Sequence, residues 1–329
     1  MEKELNQNSL GGKSIKRILG SYGIVFVLIA LIVIFTILSN RFLTADNIFN
    51  ILRQVSIVGI IAVGMTFIML TGGIDLSVGS VAGFAGVGAA LLMTEQAMNP
   101  VLAAIIMCLF GIGLGLANGF FISKLAVPPF IATLGMMVSI RGLAYIITGG
   151  LPVFGFDKNF TQLGQGYLGP IPIPVLIMAG VFVFGIIFLT RTRAGRHIYG
   201  VGGNEEASRL SGVNVSKIKF LVYAVGGFMS ALAGLVILAR TNSGQPNAGE
   251  GYEMDVITGV VLGGVSMTGG QGKLYMVIIG VLIMGILQNG MTMLGINEFV
   301  QKFVRGMVLI AAVAFDSFIK AQRAKEVTE

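Results

Sequence analysis

From residue 20 to residue 317 the chain is a succession of apolar runs, most of about twenty residues, and only one long stretch between them, Arg191–Lys219, is strongly polar. At 1.5 Å rise per residue, such a run is what an α-helix needs to cross the roughly 30 Å hydrocarbon layer of a bilayer. Charged residues make up 11% of the chain, against about 25% in a water-soluble domain. A water-soluble fold cannot hide this much apolar surface, so the solvent is lipid. The runs are continuous and do not alternate with a period of two, which argues against barrel strands. The expected fold class is therefore all-α, a polytopic membrane helical bundle. The 48 glycines fit it, because small residues let helix backbones approach closely in lipid.

Ten transmembrane spans are expected, near 20–38, 52–71, 78–93, 100–122, 128–147, 173–190, 219–239, 254–268, 272–290 and 299–317. Two of them, 78–93 and 254–268, are short and rich in glycine, and are expected to be partial crossings or broken helices. The first run is too long for a signal-peptide core and no small-x-small site follows it, so it is expected to stay as the first helix. Placing the N-terminus inside leaves seven of the 22 basic residues outside: Arg41, Arg53, Arg141, Lys158, Arg240, Lys302 and Arg305. That is the positive-inside bias. The basic N-terminus, the polar island and the basic C-terminus fall on one side only if the number of crossings is even on both sides of the island. Six and four satisfy this. The organisation expected is a tail over 1–19, one membrane domain over 20–318 and a second tail over 319–329.

The connector 148–172 has a Gly and Pro density that argues against a continuous helix. A second connector on that side is Arg240–Glu253. A faint internal echo links Thr71-Gly72-Gly73, before the first short run, to Thr268-Gly269-Gly270, at the end of the other. A third such tripeptide at 148–150 shows that the triplet alone is common here. Short, glycine-interrupted segments in both halves of a transporter mark its substrate path, because unwound backbone survives in a bilayer only where it lines a cavity or is buried in protein.

Among polar residues, Asp75 and Ser77 follow Gly72-Gly73-Ile74 and are read either as caps of the next helix or as a gate turn. Arg141 stands inside an apolar run, where a charge must pair, face water or snorkel. Asn118 and Asn289 also lie inside runs, as interhelical glue or as polyol contacts. Glu253 and Asp255 open the eighth run, as caps or as contacts for an external partner. In the island, Gly200-Val201-Gly202-Gly203-Asn204-Glu205-Glu206 reads as a turn feeding a short helix, with Asn204 at its N-cap and the acids in the first turn. The lone His197 has no cysteine or carboxylate cluster nearby, so no metal is expected. No cofactor is expected either, and there is no P-loop lysine motif or nucleophile–base pair that would make the chain an ATPase or another enzyme. The cations are scattered among membrane connectors, which argues against a nucleic-acid partner.

Five segments carry a family likeness: GMTFIMLTGGIDLSVGS (64–80), PPFIATLGMM with RGL (128–143), GRHIYGVGGNEEASRLSGVNVSKIK (195–219), SGQPNAGEGYEMDVITGVVLGGVSMTGGQG (243–272) and IGVLIMGILQNGMTMLGI (279–296). The chain resembles the membrane permease subunits of ribose-type ABC sugar importers over nearly its whole length. The resemblance implies a multi-pass protein of the bacterial inner membrane with both termini cytoplasmic. It implies a second permease copy, a cytosolic ATPase with two fused nucleotide-binding domains, and an extracytoplasmic sugar-binding protein. The island then becomes the ATPase-coupling segment, with Gly195, Arg196, Gly202, Gly203, Asn204, Glu205, Glu206 and Arg209 as its contact candidates. Asp75, Ser77, Asn118, Thr133, Arg141 and Asn289 become pathway or gate candidates. Arg240, Glu253 and Asp255 become candidates for docking the binding protein. The implied cargo is ribose or a similar monosaccharide, with a polyol or autoinducer-type solute as the alternative. An ion-coupled secondary transporter is a separate class, and it requires ionisable residues at membrane depth to bind Na⁺ or H⁺.

Overall fold

The computed structural model describes residues 23–328. The tail expected over 1–19, and the start of the first run, lie outside the described residues. Six helices are long and apolar enough to cross a bilayer: α2 (Ala45–Leu70), α4 (Pro100–Ser123), α5 (Pro129–Thr148), α7 (Ile173–Arg191), α10 (Val215–Thr241) and α12 (Leu274–Met293). Two more are apolar but shorter, α1 (Gly23–Leu38) and α3 (Val78–Thr94). The island forms α8 (Arg193–Gly203) and α9 (Glu205–Leu210), and the chain ends in α11 (Tyr252–Leu262), α12 and α13 (Glu298–Thr328). The eighth expected span is thus a half-helix. Its 11 residues cover about 16 Å, half a hydrocarbon layer. Helix α13 runs unbroken through the boundary expected at 318.

The helix ends follow local chemistry. Asn99 and Pro100 start α4, the Asn99 side chain accepting from the Val101 amide at 2.9 Å. Asn214 caps α10 by accepting from the Lys217 amide at 3.0 Å. Helix α5 stops at Gly149, which takes a left-handed conformation at φ 61°.

Helices α2 and α10 form the centre, and most of their residues are buried. Helices α4, α5 and α7 lie outside, and only about a fifth of their residues are fully buried. Helix α10 packs against α2, α3 and α4, while α11 packs on α2, α12 and α13. The contact between α4 and α10 is made by small residues one turn apart. Gly111 meets Gly227 and Ala231, Gly115 meets the Tyr223 carbonyl and Ala224, and Gly119 meets Phe220. A Gly115→Leu substitution is expected to force these two backbones apart and to cut the yield of folded protein in detergent several-fold, measured by fluorescence-detected size-exclusion chromatography.

The island lies at one end of the bundle. At the far end, the connector after α5 holds a 3-10 turn (Lys158–Thr161), a one-turn helix α6 (Gln162–Gln165) and a two-stranded hairpin, β1 (Tyr167–Leu168) paired with β2 (Ile171–Pro172). This matches the irregular connector read from its Gly and Pro content. A β-bridge between Val153 and Gly244 ties it to the loop after α10.

Candidate functional site

Three polar or glycine-built places stand out in an otherwise apolar interior. The first is where the island meets the bundle. Helix α8 begins at Thr192, whose hydroxyl accepts from the Gly195 amide at 3.0 Å. Gly195 is buried, because the chain turns so tightly there that a Cβ would strike the Phe188 and Leu189 carbonyls. The buried face of α8 carries Ile198 and Val201, while Arg196 and His197 point to solvent. Its last turn brings Gly202 against the Leu70 carbonyl and the Gly270 amide, and a Cβ on Gly202 would fall on them. The Gly270 amide donates to the Leu70 carbonyl at 2.9 Å. A Cβ on Gly269 would approach the Gly72 nitrogen to 2.7 Å and the Gly202 Cα to 3.0 Å. The two echoing tripeptides are therefore neighbours, with the end of α8 wedged against both, and the third one lies apart at the end of α5. Gly72 (φ 78°) and Gly270 (φ 72°) both sit in left-handed backbone that glycine alone adopts without strain.

Beyond the wedge the island turns outward. Asn204 caps α9, accepting from the Ala207 amide at 2.8 Å, as its sequence predicts. Glu205 is bridged by Lys219 at 2.8 Å and by Arg209 at 3.3 Å, and Glu206 pairs with Arg209 at 3.0 Å. A Cβ on Gly203 would meet nothing within 4 Å, and Leu210 is 82% exposed although it stands in the most polar part of the chain.

The second place is the break between α2 and α3. Asp75 is buried and accepts through Oδ1 from the Ser77 amide at 2.8 Å and from the Ser77 hydroxyl. Asn118 of α4 donates to the Ser77 Oγ at 3.1 Å. Thr133 of α5 donates to Pro129 and makes a long contact of 3.5 Å with the Ile74 carbonyl, which also receives the Tyr223 hydroxyl at 3.3 Å. Four of the pathway candidates, Asp75, Ser77, Asn118 and Thr133, are thus held around one unwound segment. Tyr223 escapes a reading by sequence, because a tyrosine early in an apolar helix gives no signal of its partner.

The third place is the segment before α11. Gly244 packs against Val87 and Ala90 of α3, and Gly249 packs against Gly79. The chain thus descends two to three turns along α3, or about 12–16 Å, before α11 begins inside the bundle. Arg141 of α5 holds this segment, donating from Nη1 to the Pro246 carbonyl at 2.8 Å and the Ala248 carbonyl at 2.7 Å. Glu253 and Asp255 fall in the first turn of α11, where the helix dipole favours acids. Asp255 is buried and bound to Arg305 of α13 at 2.8 Å, so the structure places it in the interior and away from the outer surface. Arg305 lies well inside an apolar run, and the rule that singled out Arg141 would have found it.

The remaining candidates stand apart. Asn289 makes a reciprocal amide pair with Asn47, at 3.0 and 2.9 Å, which ties α12 to the start of α2. At the far end Arg240 donates to Asn50 at 3.0 Å, and Gln165 donates to the Arg240 carbonyl at 3.0 Å. Arg53, which the sequence marked only as one of the outside cations, joins them by stacking on Tyr167 at 4.7 Å and reaching Gln165.

This is the build of a polytopic transport protein: an interior of broken helices, with one amphipathic handle at one end. Residues 47–313 match the family model of branched-chain amino acid transport system / permease component, and the chain belongs to that family. It is 44% identical over 293 residues to the ribose import permease protein RbsC of Bacillus subtilis, covering 88% of this chain and 90% of that one. It is 45% identical to RbsC of Escherichia coli K12 over 88% of this chain and 91% of that one, and 41% identical to the L-arabinose transport system permease protein AraH of the same strain over 95% and 94%. No solved structure matches it. The resemblance to ribose-type permeases drawn from the motifs is thereby confirmed.

Proposed function

We propose that the chain is the membrane permease of an ATP-driven importer for a monosaccharide, ribose or a close relative, and that the island receives the force. The observation that carries this reading is the seat of α8: Gly202 wedges against the ends of two broken helices, so a push on the island reaches both at once. A partner that grips the island differently in two states would bias two arrangements of those breaks. The exposed Asn204, Glu206, Arg209 and Leu210 form the face it would grip. Leu210, 82% exposed, gives that face one apolar contact for a docked protein.

The sugar enters the reading through the relatives, whose names specify ribose and arabinose. In this reading a second copy completes the pathway, a cytosolic ATPase with fused nucleotide-binding domains grips the island, and a sugar-loaded binding protein docks at the far end near Arg240 and Arg53. Both termini then face the cytoplasm. The test is purification of the intact complex from mild detergent with a tagged chain. An ATPase should co-purify and [¹⁴C]ribose uptake should collapse on ATP depletion while surviving an ionophore. Uptake that instead follows an ion gradient would identify a secondary transporter. A reporter fused at Glu205 should read cytoplasmic and one at Lys158 external.

A further inference from the structure

The geometry points to a binding station for a neutral polyol in the cleft between α3, α5 and the descending segment before α11, with Ser80, Arg141 and Glu253 as its polar contacts. This rests on the reading of the chain as a sugar permease and assigns the place where the cargo is held within it. The cleft measures about 440 Å³, within the range of about 300–1,000 Å³ of small-molecule sites. Its apolar wall is Met137, Val138 and the Tyr145 ring of α5, and its polar wall is Ser80, Glu250 and Glu253, with Arg141 between them.

Three observations point to a ligand. Ser80 is 1% exposed, lines the cleft, and its hydroxyl has no hydrogen-bond partner in the protein. A buried hydroxyl left so is unfavourable, and a ligand hydroxyl would restore the missing hydrogen bond. Next, the close approach of α3 to the descending segment depends on Gly79 and Gly83, where a Cβ would strike the Gly249 and Ala248 carbonyls. The wall is therefore built to a fixed spacing. Finally, two carboxylates face one guanidinium, so the cleft carries excess negative charge. That charge accepts hydrogen bonds from hydroxyls and rejects anions, so a free sugar fits and a phosphorylated sugar does not. Tyr145 also lines the cleft and gives it an aromatic side chain against which a sugar ring can pack.

The experiment places a reporter thiol in the wall by Val138→Cys, at a residue 62% exposed, in a Cys108→Ser background that removes the native thiol. Membrane vesicles carrying the complete transporter are treated with an aqueous thiol reagent, with and without D-ribose, L-arabinose or D-xylose. At least one sugar should slow labelling, and ribose 5-phosphate should not. Glu253→Gln and Ser80→Ala should each raise the sugar concentration for half-protection, the former by about tenfold, as expected for loss of a charged acceptor. The proposal is overturned if the thiol is never labelled, if none of the sugars protects it, if ribose 5-phosphate protects as well as ribose, or if both variants leave protection unchanged. Failure of the importer reading has a different signature: protection persists in the Val138→Cys vesicles while parallel vesicles of the unmodified transporter show no ATP-driven uptake.

Discussion

Gly202→Ala is expected to abolish ATP-driven sugar uptake, while Gly203→Ala, one residue on, leaves most of it. The two positions differ only in surroundings. A Cβ at 202 falls on the Leu70 carbonyl and beside the Gly270 amide, both backbone atoms that no rotamer change can move aside, whereas a Cβ at 203 meets nothing within 4 Å. Overpacking of this kind costs about 1–3 kcal/mol or more, and the strain can be relieved only by lifting α8 off the two breaks. Lifting the handle removes the contact through which force passes. A fall of at least about tenfold in uptake is expected, with ATP hydrolysis by the partner continuing unproductively. Parallel assays of uptake and phosphate release in proteoliposomes decide it. Equal uptake by the two variants would show that the α8 wedge transmits nothing.

Asp255→Leu is expected to destabilise the protein severely, and Arg305→Met likewise, with the double variant Asp255→Leu, Arg305→Met recovering much of the loss. The side chains of the pair are 4% and 15% exposed, and each retains an atom, Asp255 Oδ1 and Arg305 Nε, without a protein partner. Removing one member of a buried pair leaves the other charge uncompensated, at about 3–5 kcal/mol. Replacing both with apolar groups of similar volume is often neutral. Thermal unfolding in detergent, followed for both single variants and the double, measures the coupling directly. If the double variant is as unstable as the sum of the singles, the charges do not act as a pair. If it is stable but transports poorly, the pair serves the movement of α11 against α13.

Much of the local structure was legible in residue order because short-range chemistry governs it. Asn204 caps α9 as its position before two acids predicts, and the irregular connector 148–172 follows from its glycines and prolines. The glycine-rich run 254–268 reads as incomplete, and α11 is a half-helix. The echo of the two tripeptides was visible too, but its meaning was not. Nothing in the sequence says that residues 70–72, 202 and 269–270 meet, since their spacing of more than sixty residues carries no periodic signal. Asp255 shows the same limit. An acid opening an apolar run after a polar loop reads as a cap or as an external contact, and only the descent of residues 244–251 along α3 carries it inside to Arg305.

The sequence alone determined the solvent, the all-α membrane class, the irregular connector and the family, because hydropathy, turn chemistry and motif likeness are properties of neighbouring residues, whereas of the ten expected crossings only six are long, apolar helices among the described residues. The tertiary structure decided which of the scattered polar groups became partners. In lipid the apolar runs are nearly interchangeable in their affinity for one another, so helix order in space is set by glycine-sized contacts between distant segments. Those contacts put Gly202 on both breaks, Arg305 on Asp255 and Arg141 beside Ser80 and Glu253.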